Sequence, residues 1–256
     1  MTVTLTYDNT NARVRIDCNG LTGSTALIER SRDQIRWTTV RGGLAATITA
    51  GAIATLDDYE FGAGVANTYR VTGSGVPQTA TVTPNLDRVW LKSVTRPFLN
   101  RAVTTTDPGD PGWSDRASTF DVVNRSTPIA VTELRGSKTF NLQLYTKTAD
   151  DAQTMDYILA SGDVLFVHVP AGMTVPGGHV QVGDVSTRRP RPRAASKVWT
   201  LPCRIVAAPG PDVLYAIGTW TTVLNGYASW TALLAANPTW ADVLKLIGAP
   251  SEVIVP

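Results

Sequence analysis

Alternating apolar and polar residues dominate the first third of the chain. Apolar side chains occupy every second position in residues 3–7 and 14–18, and the polar residues 8–11 between them form a turn sequence. The pattern therefore predicts an opening β-hairpin. Further strands are predicted at residues 26–30, 35–40, 45–53 and 67–72. Short strands spaced in this way, with Gly, Asn and Asp between them, are typical of a β-sandwich.

The strand pattern resumes after a loop at residues 73–77, which contains two glycines and a proline. We place a domain boundary near residues 84–87. Strands of a second sandwich-like domain are predicted at residues 89–94, 118–123, 129–134, 138–145, 164–169 and 198–207. Residues 104–115 and 170–196 are rich in Gly and Pro and are predicted to be loops.

One helix is predicted inside the second domain. Thr148 is a favourable N-cap, and Asp151 stands three residues later, at capping-box spacing. Met155 and Ile158 then lie on one apolar face, and Gly162 ends the helix. The expected length is about three turns.

In the C-terminal part of the chain, a short unit that contains a tryptophan repeats every ten residues. Ten residues advance an α-helix by about 1000°, so successive tryptophans on one helix would point about 80° apart. Short separate helices, each beginning with a Ser or Thr cap, fit the repeat better. Their apolar side chains need cover from the second domain or from a neighbouring subunit, and we favour the neighbour. The predicted interface residues are Trp220, Leu224, Trp230, Leu234, Trp240 and Leu244.

These patterns together predict an all-β protein. Residues 1–85 and 86–215 would form two β-sandwich-like domains, the second with one short helix. Residues 216–256 would form a short helical tail.

The charge balance is nearly even, with 23 Lys and Arg against 21 Asp and Glu. A net charge of +2 indicates neither nucleic-acid nor membrane binding. No stretch approaches the roughly 20 apolar residues of a membrane helix. The alternating first residues lead us to expect no secretory signal.

One segment concentrates positive charge: Arg188, Arg189, Arg191 and Arg193, with prolines between them. Three interpretations stay open for it, namely a contact with a partner subunit, a solvated loop, and nucleic-acid binding. The last is the least favoured, because no interleaved aromatic residue offers base stacking.

The residues that usually carry chemistry do not cluster in the sequence. Cys18 and Cys203 stand far apart in apolar runs and are predicted to be buried free thiols. His168 lies in a predicted strand and His179 in a predicted loop, each without a partner at metal-ligand spacing. The acidic pairs at 57–58 and 150–151 fit a turn and a helix start. We therefore predict no catalytic residue, no cofactor and no metal.

The first domain resembles a fibronectin type III or related immunoglobulin-like module. Tyr69 would then be the tyrosine that closes the sandwich. The residues that carry this resemblance are Gly20-Leu21, Ile28-Glu29-Arg30-Ser31, Trp37, Asp57-Asp58-Tyr59 and Thr68-Tyr69-Arg70-Val71. It implies a fold and no particular function.

From about residue 89 onward the chain resembles the minor tail proteins of long-tailed phages that infect actinobacteria. The residues that carry this resemblance are Val89-Trp90-Leu91-Lys92, Pro97, Leu99, Asn100, Val123-Asn124-Arg125, Pro128-Ile129-Ala130-Val131, Glu133-Leu134-Arg135-Gly136, Leu159 to Leu165 and the tryptophan repeat. The resemblance implies a structural protein near the tail tip or baseplate, comparable to distal tail proteins. It implies a homo-oligomeric ring or trimer, other phage tail proteins as partners, and location in the virion after synthesis in the host cytoplasm.

Two alternatives stay open. Paired sandwiches with exposed tryptophans also suit a carbohydrate-binding module for host surface recognition. A hydrolase would have to depend on Asp57, Asp58 or His168, and we expect no such activity.

Overall fold

The computed structural model describes residues 1–211, except 54, 108, 122 and 125, together with residues 227 and 229–236. The chain divides into two units, Met1–Asp212 and Val213–Pro256. The first unit contains both predicted β-domains.

The first domain contains nine strands: Thr2–Asp8 (β1), Arg13–Asn19 (β2), Thr25–Ser31 (β3), Thr38–Thr39 (β4), Ala46–Thr49 (β5), Ala52–Ile53 (β6), Leu56–Asp58 (β7), Asn67–Thr72 (β8) and Gln78–Val82 (β9). They form one antiparallel sheet in the order β1-β2-β6-β5-β3-β8-β9. Strand β4 pairs with β3, and β7 pairs with β2. Strands β1 and β9 at the two ends lie next to each other, so the sheet nearly closes on itself.

Alternation places the core of the first domain as the sequence predicts. In β2, Val14, Ile16 and Cys18 are buried, while the residues between them are partly exposed. Two predicted strands are wrong in extent. Only Thr38–Thr39 of residues 35–40 is a strand. Residues 45–53 are split into β5 and β6 because Ala50 and Gly51 adopt positive φ and turn the chain.

The second domain contains nine further strands: Trp90–Ser93 (β10), Arg101–Ala102 (β11), Thr104–Asp107 (β12), Gly112–Trp113 (β13), Lys138–Thr146 (β16), Leu165–His168 (β17), Gly178–Val182 (β18), Ser186–Arg188 (β19) and Lys197–Ile205 (β20). They form a separate antiparallel sheet in the order β11-β10-β17-β18-β20-β16-β12. Strand β13 pairs with β16, and β19 pairs with β20. Ala102 pairs with β10 and Thr104 pairs with β16, so one short segment joins the two ends of this sheet.

Helix α1, Ala149–Ala160, confirms the predicted cap and stop. The Thr148 hydroxyl accepts from the backbone N–H of Asp151, and the Asp151 carboxylate accepts from the backbone N–H of Thr148. Gly162 follows the helix with a φ of +65°. Met155 and Ile158 are buried in the core of the second domain.

Two predicted loops are wrong in part. Residues 104–115 contain β12 and β13, and residues 170–196 contain β18 and β19. Most of these strands are short and polar and lack an apolar alternation, so their pairing with β16 and β20 is decided by the neighbouring strand.

A third sheet has only two strands, Ala117–Phe120 (β14) and Ile129–Thr132 (β15). The sequence predicts both strands, but the structure pairs them only with each other and not with the second domain's sheet. We call the described residues between Asp110 and Arg135 the arm.

The C-terminal unit contains one described helix, α2, Trp230–Ala236. The Ser229 hydroxyl accepts from the backbone N–H of Ala232 at 3.2 Å, as the predicted cap requires. Trp230 is 52% and Leu234 55% exposed. Predicted interface residues Trp220, Leu224, Trp240 and Leu244 lie outside the described residues. Neither described helix is long and apolar enough to cross a membrane.

Candidate functional site

A buried lysine connects the two β-domains. Lys92 of β10 donates from Nζ to the backbone oxygens of Ala12 at 2.6 Å and Tyr59 at 2.7 Å, both in the first domain. Its Nζ also lies 2.8 Å from Nδ1 of His168. Lys92 is 1% exposed and His168 3%. Lysine is almost never buried without such partners.

Strand pairing explains why Lys92 points at the other domain. In the β10–β17 pair, Trp90 faces His168 and Lys92 faces Phe166, so these four side chains share one side of the sheet. Leu91 lies on the opposite side and packs in the core of the second domain. Trp90 packs in the core of the first domain. Strand β10 is therefore covered on both sides.

Aromatic rings surround the side-chain nitrogen of Lys92. Nζ of Lys92 lies 5.0 Å from the ring centroid of Phe61, 5.9 Å from that of Tyr59 and 6.0 Å from that of Trp90. Phe61 also makes an edge contact with His168 at 4.5 Å between centroids. These apolar neighbours keep water away from the amine.

Asp58 organises a second buried group inside the first domain. Its carboxylate accepts from Arg30 at 2.5 Å, from the Tyr69 hydroxyl at 2.7 Å and from the backbone N–H of Glu60 at 2.8 Å. Burial, together with the charge of Asp58, raises the pKa of Tyr69 far above its ordinary value. Tyr69 is fully buried in the core of the first domain.

Glu60 and Arg41 form a second contact between the domains. Arg41 donates to Glu60 from Nε at 3.0 Å and from Nη2 at 2.9 Å, and from Nη1 to the backbone oxygen of Gly210 at 2.8 Å. The other Glu60 oxygen lies 3.6 Å from Nε2 of His179. Burial would raise the pKa of Glu60, but the interactions of its carboxylate with nearby His179 and with Arg41 outweigh burial and lower that pKa.

The Lys92–His168 pair has strongly shifted pKa values. Burial lowers the pKa of Lys92 to about 7, although the charges of Asp58 and Glu60 act in the opposite direction. Burial, with the charges of Lys92 and Arg30, lowers the pKa of His168 to about 2. Such shifts are common at catalytic sites, but they also arise in buried structural networks.

The exposure of Lys92 and His168 shows whether a substrate could reach this pair. Lys92 and His168 are almost fully covered, and neither lines the two described surface clefts of about 460 and 390 Å³. A substrate cannot reach the amine while the two domains are in contact. The hydrogen bonds from Lys92 to Ala12 and Tyr59 join the two domains.

The structure also shows the surroundings of the other residues considered from the sequence. Asp57 accepts from Arg13 at 2.6 Å and from Arg15 at 3.2 Å. Cys18 and Cys203 are free and buried, as predicted. His179 lies in strand β18, so its predicted placement in a loop is wrong. No group of three potential metal ligands occurs within the part of the chain that the structure describes.

The arm exposes apolar side chains. In the β14–β15 pair, Phe120 faces Ile129 and Ser118 faces Val131, so the two strands present one apolar face. Phe120 is 56% exposed, and Val123 and Leu134 are 88% and 89% exposed. A two-stranded hairpin is marginally stable by itself in water.

The arginine-rich segment lies at the end of β19 and in the loop after it. Arg188, Arg189, Arg191 and Arg193 are all exposed. Among the described residues, no carboxylate lies within ion-pair distance of any of them.

Comparison with known proteins identifies no family: the sequence matches no protein-family model and no curated protein.

The sequence analysis did not predict the hydrogen-bond network between the two domains. Lys92 is the one charged residue of β10, and that charged position next to Trp90 and Leu91 was the available signal.

Proposed function

We propose that the chain is a structural component of a phage tail, in the tip or baseplate region, that assembles with copies of itself and with other tail proteins. The exposed arm is the observation that carries this proposal. Its apolar face has no cover within the described chain, and a second copy offers the same face and unpaired strand edges. The resemblance of residues from about 89 onward to minor tail proteins supports the same function.

Two further features support assembly. The four arginines at 188–193 lack a carboxylate partner among the described residues, and α2 exposes about half of Trp230 and Leu234. The buried network between the domains supports a non-enzymatic role, because its titratable groups are closed to substrates.

The first test compares the mass of the assembled species in native mass spectrometry. The wild-type chain should form a closed oligomer, a ring or a trimer, and Phe120→Ser with Val131→Ser should abolish it. Ile35→Ser removes an even more exposed apolar side chain outside the arm and should leave the oligomer intact. Equal oligomers in all three proteins would refute assembly through the arm.

A second test concerns the tail. Deletion of residues 216–256 should reduce oligomer size or prevent incorporation into phage particles. Unchanged oligomer size together with normal particles would exclude the tail as an assembly element. Mass spectrometry of purified phage particles should also find the chain in the virion.

The carbohydrate-binding alternative rests on exposed indoles. Trp113 is half exposed, but the ammonium group of Lys138 lies 4.9 Å from the centroid of its ring. One face of the indole is thus already occupied. Strong saccharide binding on a glycan array that is lost in Trp113→Ala would favour this alternative over assembly.

A further inference from the structure

A row of polar side chains crosses the outer face of the second domain's sheet. Gly112 of β13 lies directly opposite Thr139 of β16. Arg204 of β20 lies opposite Thr139 on one side and opposite Gln181 of β18 on the other. Directly paired residues of antiparallel strands point to the same side of a sheet, with Cβ atoms about 5 Å apart. The row therefore places Arg204 between a hydroxyl group and a side-chain amide.

A second row beside the first completes the floor of a cleft. Asn141 lies opposite Pro202, and the backbone N–H of Gly183 donates to the backbone oxygen of Pro202 at 2.8 Å. Asp110 lies at the rim, two residues before β13. The two rows and Asp110 line a surface cleft of about 460 Å³. This volume lies within the range of small-molecule sites.

The cleft combines one cation, one anion and three neutral polar side chains. Arg204, Asp110, Thr139, Asn141 and Gln181 are all exposed. Among the residues that the structure describes, neither Arg204 nor Asp110 has an oppositely charged group within ion-pair distance. Two strand spacings of about 4.8 Å separate β13 from β20, so the two charges border the cleft at positions about 10 Å apart.

This set of groups matches a saccharide that carries a carboxylate. A guanidinium group binds a carboxylate through two parallel hydrogen bonds. Amide and hydroxyl side chains both donate and accept hydrogen bonds, as sugar hydroxyl groups do, and a carboxylate such as that of Asp110 accepts from them. The half-buried ring of Pro202 offers apolar surface to the C–H face of a sugar ring. A polyanion fits less well, because Asp110 would repel it.

Glycine keeps one wall of the cleft open. A Cβ at Gly112 would meet nothing within 4 Å, so the space next to the Thr139 end of the row is free. Trp113, the next residue of β13, lies opposite Lys138 and therefore points to the other side of the sheet. The cleft is thus separate from the exposed indole.

We propose that this cleft binds a saccharide of the uronic acid class. Arg204 holds the carboxylate, and Asn141, Gln181 and Asp110 bind the hydroxyl groups. The site lies outside the apolar face of the arm, so it adds ligand recognition to the structural role proposed above.

The first test places the full chain on an array of galacturonate, glucuronate, mannuronate and guluronate disaccharides, each beside its methyl ester. The ester keeps the sugar rings and removes the charge. At least one acid should bind, and its ester should bind roughly 10- to 100-fold more weakly, because the hydrogen bonds to a charged group are lost. Binding of none of the acids, or equal binding of acid and ester, would overturn the proposal.

Substitutions then locate the site. Arg204→Gln should abolish the preference for the acid over the ester. Arg88→Gln is the matched control, since it removes an exposed arginine that pairs with its neighbour Asp87, and it should keep the preference. An unchanged preference in Arg204→Gln would contradict the assignment of Arg204 to the carboxylate.

Two further variants separate this cleft from other surfaces. Gly112→Phe should block the acid and the ester alike, and its unfolding midpoint should match that of the wild type because the added side chain enters open space. Trp113→Ala should keep binding, and a loss there would assign the saccharide to the indole instead. Phe120→Ser with Val131→Ser should bind as the wild type does, so a failure of assembly and a failure of this site give different results.

Discussion

The interface between the two β-domains buries polar side chains, whereas the arm exposes apolar ones. The interface and the adjoining core of the first domain bury Lys92, His168 and Asp58, and each of these makes at least one hydrogen bond inside the chain. The arm exposes Phe120 and Leu134, for which the described chain provides no cover. Buried polar groups are expected to be paired, and large exposed apolar patches mark binding surfaces. The interface thus covers its polar groups, whereas the arm leaves its apolar side chains exposed within the described chain.

The largest expected effect concerns Asp58. Asp58→Ala leaves the largely buried side chain of Arg30 without its counter-ion and should reduce the free energy of unfolding by about 3–5 kcal/mol. Asp57→Ala removes a more exposed partner of Arg13 and Arg15 and should cost about 1 kcal/mol. Denaturant unfolding of both variants measures the difference. Similar losses would mean that the buried network is no more important than the surface ion pairs.

The next effect tests close approach between the domains. A Cβ at Gly64 would lie 2.4 Å from Cβ of Ala171, and the φ of Gly64 is +68°. Gly64→Ala should cost about 2–4 kcal/mol from overlap and backbone strain. Gly172→Ala, at a positive φ with open space, should cost only about 1 kcal/mol. Adding Ala171→Gly to Gly64→Ala should restore part of the loss; no restoration would contradict the contact.

Tyr69→Phe isolates one hydrogen bond in the network. The hydroxyl donates to the carboxylate of Asp58, so its removal should reduce the free energy of unfolding by about 1.5–3 kcal/mol. Tyr157→Phe, on the exposed side of α1, is the matched control and should change stability little. Equal unfolding midpoints for the two variants would show that the Asp58 contact contributes nothing.

A substitution in the arm should change the free energy of unfolding much less than a substitution in the interface. At concentrations where the chain is monomeric, Phe120→Ser should change the free energy of unfolding by no more than about 0.5 kcal/mol, because the side chain is largely exposed. Phe61→Ala in the interface should cost about 3–5 kcal/mol. A large loss in Phe120→Ser would mean that the arm packs on its own chain.

The smallest expected effect is at the arginine-rich segment. Replacing Arg188, Arg189, Arg191 and Arg193 by Gln should change monomer stability by less than about 0.5 kcal/mol, since these side chains are exposed. If they contact a neighbouring subunit, the same change should weaken the oligomer and remove much of its salt dependence. An oligomer with unchanged salt sensitivity would assign the segment to a solvated loop.

Local patterns predicted much of this architecture. The alternation in β2 placed Val14, Ile16 and Cys18 inside, and Thr148 and Asp151 marked the start of α1. These signals are local, because a strand's two faces and a helix cap depend on residues only a few positions apart. The short strands β12 and β19 were missed, because their pairing depends on β16 and β20 and not on their own residues.

The sequence by itself determined the all-β class, the single capped helix of the second domain and the buried thiols, since each follows from short-range periodicity or capping. Only the tertiary structure decided that Lys92 and His168 meet, 76 residues apart, against carbonyls of the first domain. It also decided that β14 and β15 leave the second sheet to form an exposed arm. Burial and pairing between distant segments depend on how two domains pack, and no local pattern encodes that packing.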